Sequence, residues 1–150
     1  MSVTPLGTHT VTQIGIIVCN LEETVQAWSR LLGEPAPEII VTESVELTHA
    51  EYQGRPTPAL AKLAFFQLGQ VTLELIEPMG EPSTWQDQLV RHGQSLHHIA
   101  FEVKGMVERL EMLAQQGLPV LQRGDYRGGC YAYVDGQQTH GTIVELLEND

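Results

Sequence analysis

The sequence predicts an α+β fold, with two tandem strand–helix–strands modules in a single domain. Three observations predict it. Apolar strand-like runs and amphipathic helical segments occur in an order that runs twice along the chain. When the two halves are superposed, their strands, helices and isolated polar residues fall on one another. The length of 150 residues and the 42% apolar content suit one buried core shared by both halves.

The elements follow in order. VTQIGIIV, Val11 to Val18, reads as a strand. Asn20 then caps a helix, and Glu23 completes a capping-box pattern. Leu21, Val25, Trp28 and Leu32 have helical spacing, and Gly33 followed by Pro35 ends the run. Glu38 to Leu47 reads as extended, and EYQGRPTP, Glu51 to Pro58, as a loop by its glycine and proline content. LAKLAFFQL and QVTLELIEP are two further strands. Ser83 caps a short helix toward Val90, and Gly93 ends it. The order then repeats, with a strand at HHIAFEV, a helix over Met106 to Gln116 stopped by Gly117 and Pro119, the extended PVLQR, and strands at CYAYVDG and GTIVELLE. The modules cover about residues 10–78 and 95–148, joined by a short helical linker at 79–94, within one domain of residues 1–150.

Superposition of the halves sets Gln13 on His98, Ile14 on Ile99, Gly15 on Ala100 and Ile16 on Phe101. It also sets TLELIE, Thr72 to Glu77, on IVELLE, Ile143 to Glu148, so that Glu74 meets Glu145. Alternation assigns the faces. Ile14, Ile16 and Val18 lie under the first helix, and Ile99, Phe101 and Val103 under the second. Gln13, Glu74, His98 and Glu145 all face the other way, and Gly15 and Ala100 leave space beside them. A carboxylate in the middle of an apolar strand is costly unless it is paired or bound to a metal. A pseudo-twofold axis relating the modules brings these side chains to one centre. Three oxygen ligands and one imidazole suit a divalent ion such as Co, Mn, Ni, Zn, Fe or Mg. His97 is expected on the opposite face, in a structural role.

Charge and cysteine usage narrow the function classes. Eight Lys and Arg against 19 Asp and Glu give a net charge of -11, which opposes nonspecific binding to nucleic acid or to an anionic membrane. No apolar run is long enough to cross a bilayer, and MSVTPLGTHTV lacks the pattern of a signal peptide. Cys19 and Cys130 form no CxxC pair, so a reduced, cytoplasmic protein is expected. Arg55, Arg123, Arg127 and His140 are candidates for holding an anionic small-molecule substrate, and the glycine-rich DYRGGCYAY, Asp125 to Tyr133, for lining its entrance.

With QIGIIVCNLEETVQAWSRLLG, VTLELIEP, HGQSLHHIAFEV and GTIVELLE in hand, the chain resembles the vicinal oxygen chelate (glyoxalase/bleomycin resistance/dioxygenase) superfamily from about Thr10 to Glu148. Within it, the likeness is greatest to methylmalonyl-CoA epimerases. The resemblance implies paired βαβββ modules forming a cupped mixed sheet around a metal site, the glyoxalase/dioxygenase fold. It implies one divalent metal held by Gln13, Glu74, His98 and Glu145, and a homodimer. It further implies an isomerase or epimerase that removes the α-proton of a carbonyl compound or acyl-CoA thioester, with Glu145 or Glu74 serving as ligand and base and Glu43 and Glu46 as further acids. Epimerases begin the first strand with a histidine where this chain has Gln13. The set Gln, Glu, His, Glu instead resembles that of some glyoxalase I lyases. Alternatives from other classes are a metal-free small-molecule binding or resistance protein and, last, a ring-cleaving dioxygenase, which needs a second histidine ligand.

Overall fold

The long strands carry apolar side chains on both faces, so the sheet they form must be covered on both. The structure, a computed structural model, describes residues 4–150. Its elements in chain order are β1 (Val11–Ile17), α1 (Leu21–Leu32), β2 (Ile40–Val41), α2 (Val45–Thr48), β3 (Glu51–Tyr52), β4 (Arg55–Pro56), β5 (Leu60–Leu68), β6 (Val71–Met79), α3 (Thr84–His92), β7 (Ser95–Glu102), α4 (Met106–Gln115), β8 (Val120–Tyr126), β9 (Gly129–Val134) and β10 (Ile143–Asn149). The strands join in one curled mixed sheet of order β2-β5-β6-β1-β7-β10-β9-β8-β3-β4.

The topology repeats. β1 is parallel to β6, which pairs antiparallel with β5; β7 is parallel to β10, which pairs antiparallel with β9. β2 and β8 occupy corresponding outer places. The halves meet where β1 runs antiparallel to β7, at the centre of the sheet. On the outer face α1 buries Leu21 and Val25 against Ala64, Phe66, Leu73 and Leu75, with Trp28 half-buried beside them. α4 buries Leu110 and Leu113 against Ala132, Val144 and Leu146. On the inner face Ile17, Ile76 and Ile143 meet Tyr133 and Trp85, the latter supplied by α3.

Both covering helices are docked in the same way. Glu77 Oε1 accepts from Leu21 N at 2.8 Å, and Glu148 accepts from Gly105 N and Met106 N at 2.8 and 2.9 Å. These glutamates end β6 and β10, the strands superposed as TLELIE and IVELLE. Each puts a negative charge at a helix N-terminus, where the helix dipole favours it. The two backbone N–H groups hold the Glu148 carboxyl below the usual range. Asn20 Oδ1 caps α1 by accepting from Glu23 N at 3.1 Å, and Gly33 closes it in the left-handed region at φ 69°.

Two expectations need correction. Glu38–Leu47 is not extended throughout. Only Ile40–Val41 pair with β5, and Val45–Thr48 coil into one turn as the chain leaves the sheet edge. Glu51–Pro58 is not a plain loop but contains the β3–β4 hairpin, turned by Gln53 and Gly54 at φ 50° and 80°. β3 pairs with β8 of the other half, so this inserted segment crosses from one edge of the cup to the other. The helix begun by Ser83 runs from Thr84 to His92 and is ended by Gly93, as expected. Among the described residues no helix is long and apolar enough to cross a membrane.

Replacing the cap tests the local account. Asn20→Ala is expected to cost about 1 kcal/mol, read as a lower urea midpoint with an unchanged slope.

Candidate metal centre

Gln13, Glu74, His98 and Glu145 sit on β1, β6, β7 and β10, the four adjacent central strands. Strand register makes their convergence unavoidable. Glu74, Gly15 and His98 form one row across β6, β1 and β7; Gln13, Ala100 and Glu145 form the next across β1, β7 and β10. A residue without bulk stands in the middle of each row. A Cβ on Gly15 would lie 2.1 Å from His98 Cε1, so the imidazole rests directly on the glycine backbone.

Glu74, His98 and Glu145 are 8%, 1% and 3% exposed, and Gln13 is half-buried. His98 Nε2 lies 3.0 Å from Gln13 Oε1, 3.1 Å from Glu145 Oε1 and 3.5 Å from Glu74 Oε1. Ligands held about 2.1 Å from one ion and at right angles stand about 3 Å apart. With Gln13 Oε1 turned inward, four lone-pair atoms converge with no hydrogen of the amide between them, an arrangement that a cation resolves. With the amide turned over, its nitrogen donates to Glu145 Oε1 at 2.8 Å and Glu74 Oε1 at 3.2 Å.

Electrostatics point the same way. Burial, then the neighbouring charge of Glu145, push the Glu74 carboxyl up to about 8 against the opposing pull of His98. Burial lowers the His98 pKa, but the charge of Glu145, the hydrogen bond to it and the charge of Glu74 outweigh burial and leave it raised. A divalent ion supplies the positive charge that this group of side chains lacks, so the donor set fits one.

The site forms the floor of a cavity of about 560 Å³. Leu63, Phe65, Leu147, Trp85, Tyr131 and Tyr133 supply mostly apolar walls. The inserted segment brings Thr42, Glu43 and Thr48 to the mouth, opposite Asp125, Tyr126 and Arg127. Arg127 is the one basic residue among the described residues lining the cavity. Arg55 and Arg123 are exposed on β4 and β8, and His140 is exposed in the turn before β10, its Nδ1 2.6 Å from Thr139 Oγ1; none of the three lines the cavity. Glu43 is exposed at the mouth, whereas Glu46 is exposed on α2 and outside the lining.

Simple alternation misplaces His97. The β1–β7 register shifts between Gly15↔His98 and Ile16↔Leu96, leaving His97 as the extra residue of a bulge. Its ring turns inward beside His98, edge-on to Tyr133 with centroids 4.9 Å apart, and is 1% exposed. Burial first, then the nearby His98, hold its pKa well below the usual histidine value. Sequence reasoning also left out a hydroxyl network. Trp85 Nε1 donates to Tyr133 Oη at 3.0 Å, and Gln122 Nε2 donates to Tyr131 Oη at 3.0 Å. The alternation in CYAYV was the available signal, since it puts both tyrosines on one face.

A family model described as the glyoxalase/bleomycin resistance protein/dioxygenase superfamily matches residues 12–134. Over 89 residues the chain is 39% identical to the uncharacterized protein YqjC of Bacillus subtilis (strain 168). That match covers 57% of this chain and 64% of YqjC, less than two thirds of that relative's length. Among solved structures, the hypothetical protein BH1468 of Bacillus halodurans C-125 aligns with a TM-score of 0.66 at 22% identity, over 94% of each chain. Methylmalonyl-CoA epimerase of Mycobacterium tuberculosis aligns with a TM-score of 0.62 at 17% identity, over 100% of this chain and 93% of its own. A Streptomyces coelicolor methylmalonyl-CoA epimerase variant in complex with 2-nitronate-propionyl-CoA aligns at 0.63 and 22%, over 93% and 96%. At these identities the structural likeness is one of fold.

The contact between Gly15 and His98 gives a direct test. Gly15→Ala is expected to weaken divalent-metal affinity on the order of 10–100-fold by displacing the imidazole, measured by competition with a chromophoric chelator. Wild-type affinity in that variant would show that His98 is not seated by the glycine.

Proposed function

Because the chain belongs to the glyoxalase/bleomycin resistance protein/dioxygenase superfamily, we propose that it is a divalent-metal-dependent isomerase or epimerase. It removes and returns the proton α to the carbonyl of a small-molecule carbonyl compound or acyl-CoA thioester, as a methylmalonyl-CoA epimerase-like enzyme. The observation that carries this reading is the meeting of two buried carboxylates, a buried imidazole and an amide at the floor of one largely apolar cavity.

Gln13, Glu74, His98 and Glu145 would hold the metal, which supplies a Lewis acid that withdraws developing charge from a substrate oxygen. The remaining work falls to side chains. One of Glu145 and Glu74 takes the α-proton, the C–H electron pair delocalises toward the carbonyl oxygen, and the other carboxyl delivers a proton to the opposite face of the carbon, which inverts it. Both carboxylates are buried beside the space that a substrate carbon would occupy, whereas Glu43 is exposed at the mouth. Leu63, Phe65 and Leu147 exclude water from that step, and Arg127 can meet an anionic end of the substrate. Arg55, Arg123 and His140 fit this role less well, since they lie outside the lining. All four ligand side chains belong to one chain, so the proposed homodimer, joined through exposed sheet edges, is not needed to complete the site.

Gln13 favours a second reading, a glyoxalase I-like lyase. That reaction moves a proton between adjacent carbons of a thiohemiacetal and needs the same carboxylates.

Reconstitution with single divalent metals, followed by assays of substrate-dependent deuterium uptake from D2O, tests the proposal. Methylmalonyl-CoA and glutathione–methylglyoxal adducts distinguish the two readings. His98→Ala is expected to lose metal and exchange together. Full activity in that variant contradicts the metal mechanism, whereas ligand binding without exchange in the metal-loaded wild type contradicts the enzymatic reading and favours a small-molecule binding protein.

A further inference from the structure

β7 carries two consecutive buried histidines, and only His98 faces the carboxylates. The bulge nevertheless brings His97 to the same side of the strand. His97 Nδ1 stands 2.7 Å from His98 Nδ1, and His97 Nε2 stands 3.2 Å from Thr84 Oγ1. Two bare nitrogens cannot share a 2.7 Å gap, so one of them carries a hydrogen and donates it.

The direction follows from the opposite side of the His98 ring. Its Nε2 faces Gln13, Glu74 and Glu145. A nitrogen that gives its lone pair to a cation carries no hydrogen, so in the metal-loaded protein the His98 hydrogen is on Nδ1. It then points at His97 Nδ1, which must be the bare nitrogen of its own ring. The His97 hydrogen is therefore on Nε2 and is donated to Thr84 Oγ1. Thr84 is itself fixed, since its backbone N–H donates to Gln122 Oε1 at 2.9 Å.

We propose that His97 is a positioning residue for the metal centre, accepting the His98 Nδ1 hydrogen so that His98 Nε2 presents its lone pair to the cavity floor. Metal-binding histidines usually donate the other ring N–H to a carboxylate, a carbonyl or water. Here the acceptor is an imidazole. It orients His98 without adding a third negative charge beside Glu74 and Glu145. Tyr133 holds the pair from the side, with ring centroids 4.9 Å from His97 and 5.1 Å from His98. The inference rests on the proposed ligand set, and its test separates the two.

The experiment is a two-bond 1H–15N correlation spectrum of uniformly 15N-labelled, zinc-loaded wild-type protein, joined to zinc affinities of two variants. The expected spectrum has His98 protonated at Nδ1 and His97 protonated at Nε2. His97 protonated at Nδ1 overturns the proposal. His97→Phe keeps bulk but removes the acceptor, and is expected to weaken zinc binding on the order of 10–100-fold. His97→Asn keeps an oxygen near the Nδ1 position and is expected to bind close to wild type. Undiminished affinity in His97→Phe overturns the proposal, as does equal loss in both variants when both remain folded. If the Phe variant does not fold, the wild-type spectrum decides. Failure of wild type to bind zinc defeats the ligand set and this inference together; zinc bound with the opposite His97 tautomer defeats this inference alone.

Discussion

Two carboxylates buried side by side set the terms for the rest of the molecule. Glu74 and Glu145 stand on the inner face of the sheet, where burial and the neighbouring charge of Glu145 oppose the ionisation of Glu74. His98 supplies partial relief. Arg127, the one basic side chain among the described lining residues, sits in the exposed turn between β8 and β9, away from the floor. The amide of Gln13 and the imidazole of His98 complete a set of donors that a cation at this place would fit.

The repeated topology follows from the same centre. Joining β1 to β7 antiparallel places equivalent positions of the two halves around one axis, with Gly15 and Ala100 as the small residues between the candidate ligand side chains. Glu77 and Glu148 then dock equivalent helices on the outer face, so each half spends one glutamate inside the cup and one outside. The symmetry is broken at the mouth. The first half sends a segment across to pair with β8, and His49 Nδ1 meets Asp125 Oδ2 at 3.0 Å on the way. The second half supplies aromatic walls from β9. On the proposed function, such a division would keep the chemistry in the shared centre and leave substrate choice to the parts that differ.

Much of this was legible in the sequence because strand alternation is a local property. Period two assigned Leu73 and Leu75 to one face and Glu74 to the other, and the same for Val144, Leu146 and Glu145, as the two helix-side cores show. His97 was not legible, because a bulge depends on how β7 meets β1 and leaves no mark in the residues of β7 alone. The segment from Glu38 to Pro58 carries little local signal for a related reason. Its strands are two residues long and exist through pairing with distant edges. The arginines follow no periodic pattern, so the sequence offered no means of singling out Arg127, the one of the three that reaches the cavity.

The most direct test is anomalous scattering from crystals grown with manganese or zinc. The account predicts one strong peak at the floor of the cup, about 2.0–2.3 Å from an oxygen of Gln13, Glu74 and Glu145 and from His98 Nε2. A peak bound elsewhere, or a floor in which Gln13 and His98 hydrogen-bond to the carboxylates while the metal is in excess, contradicts it.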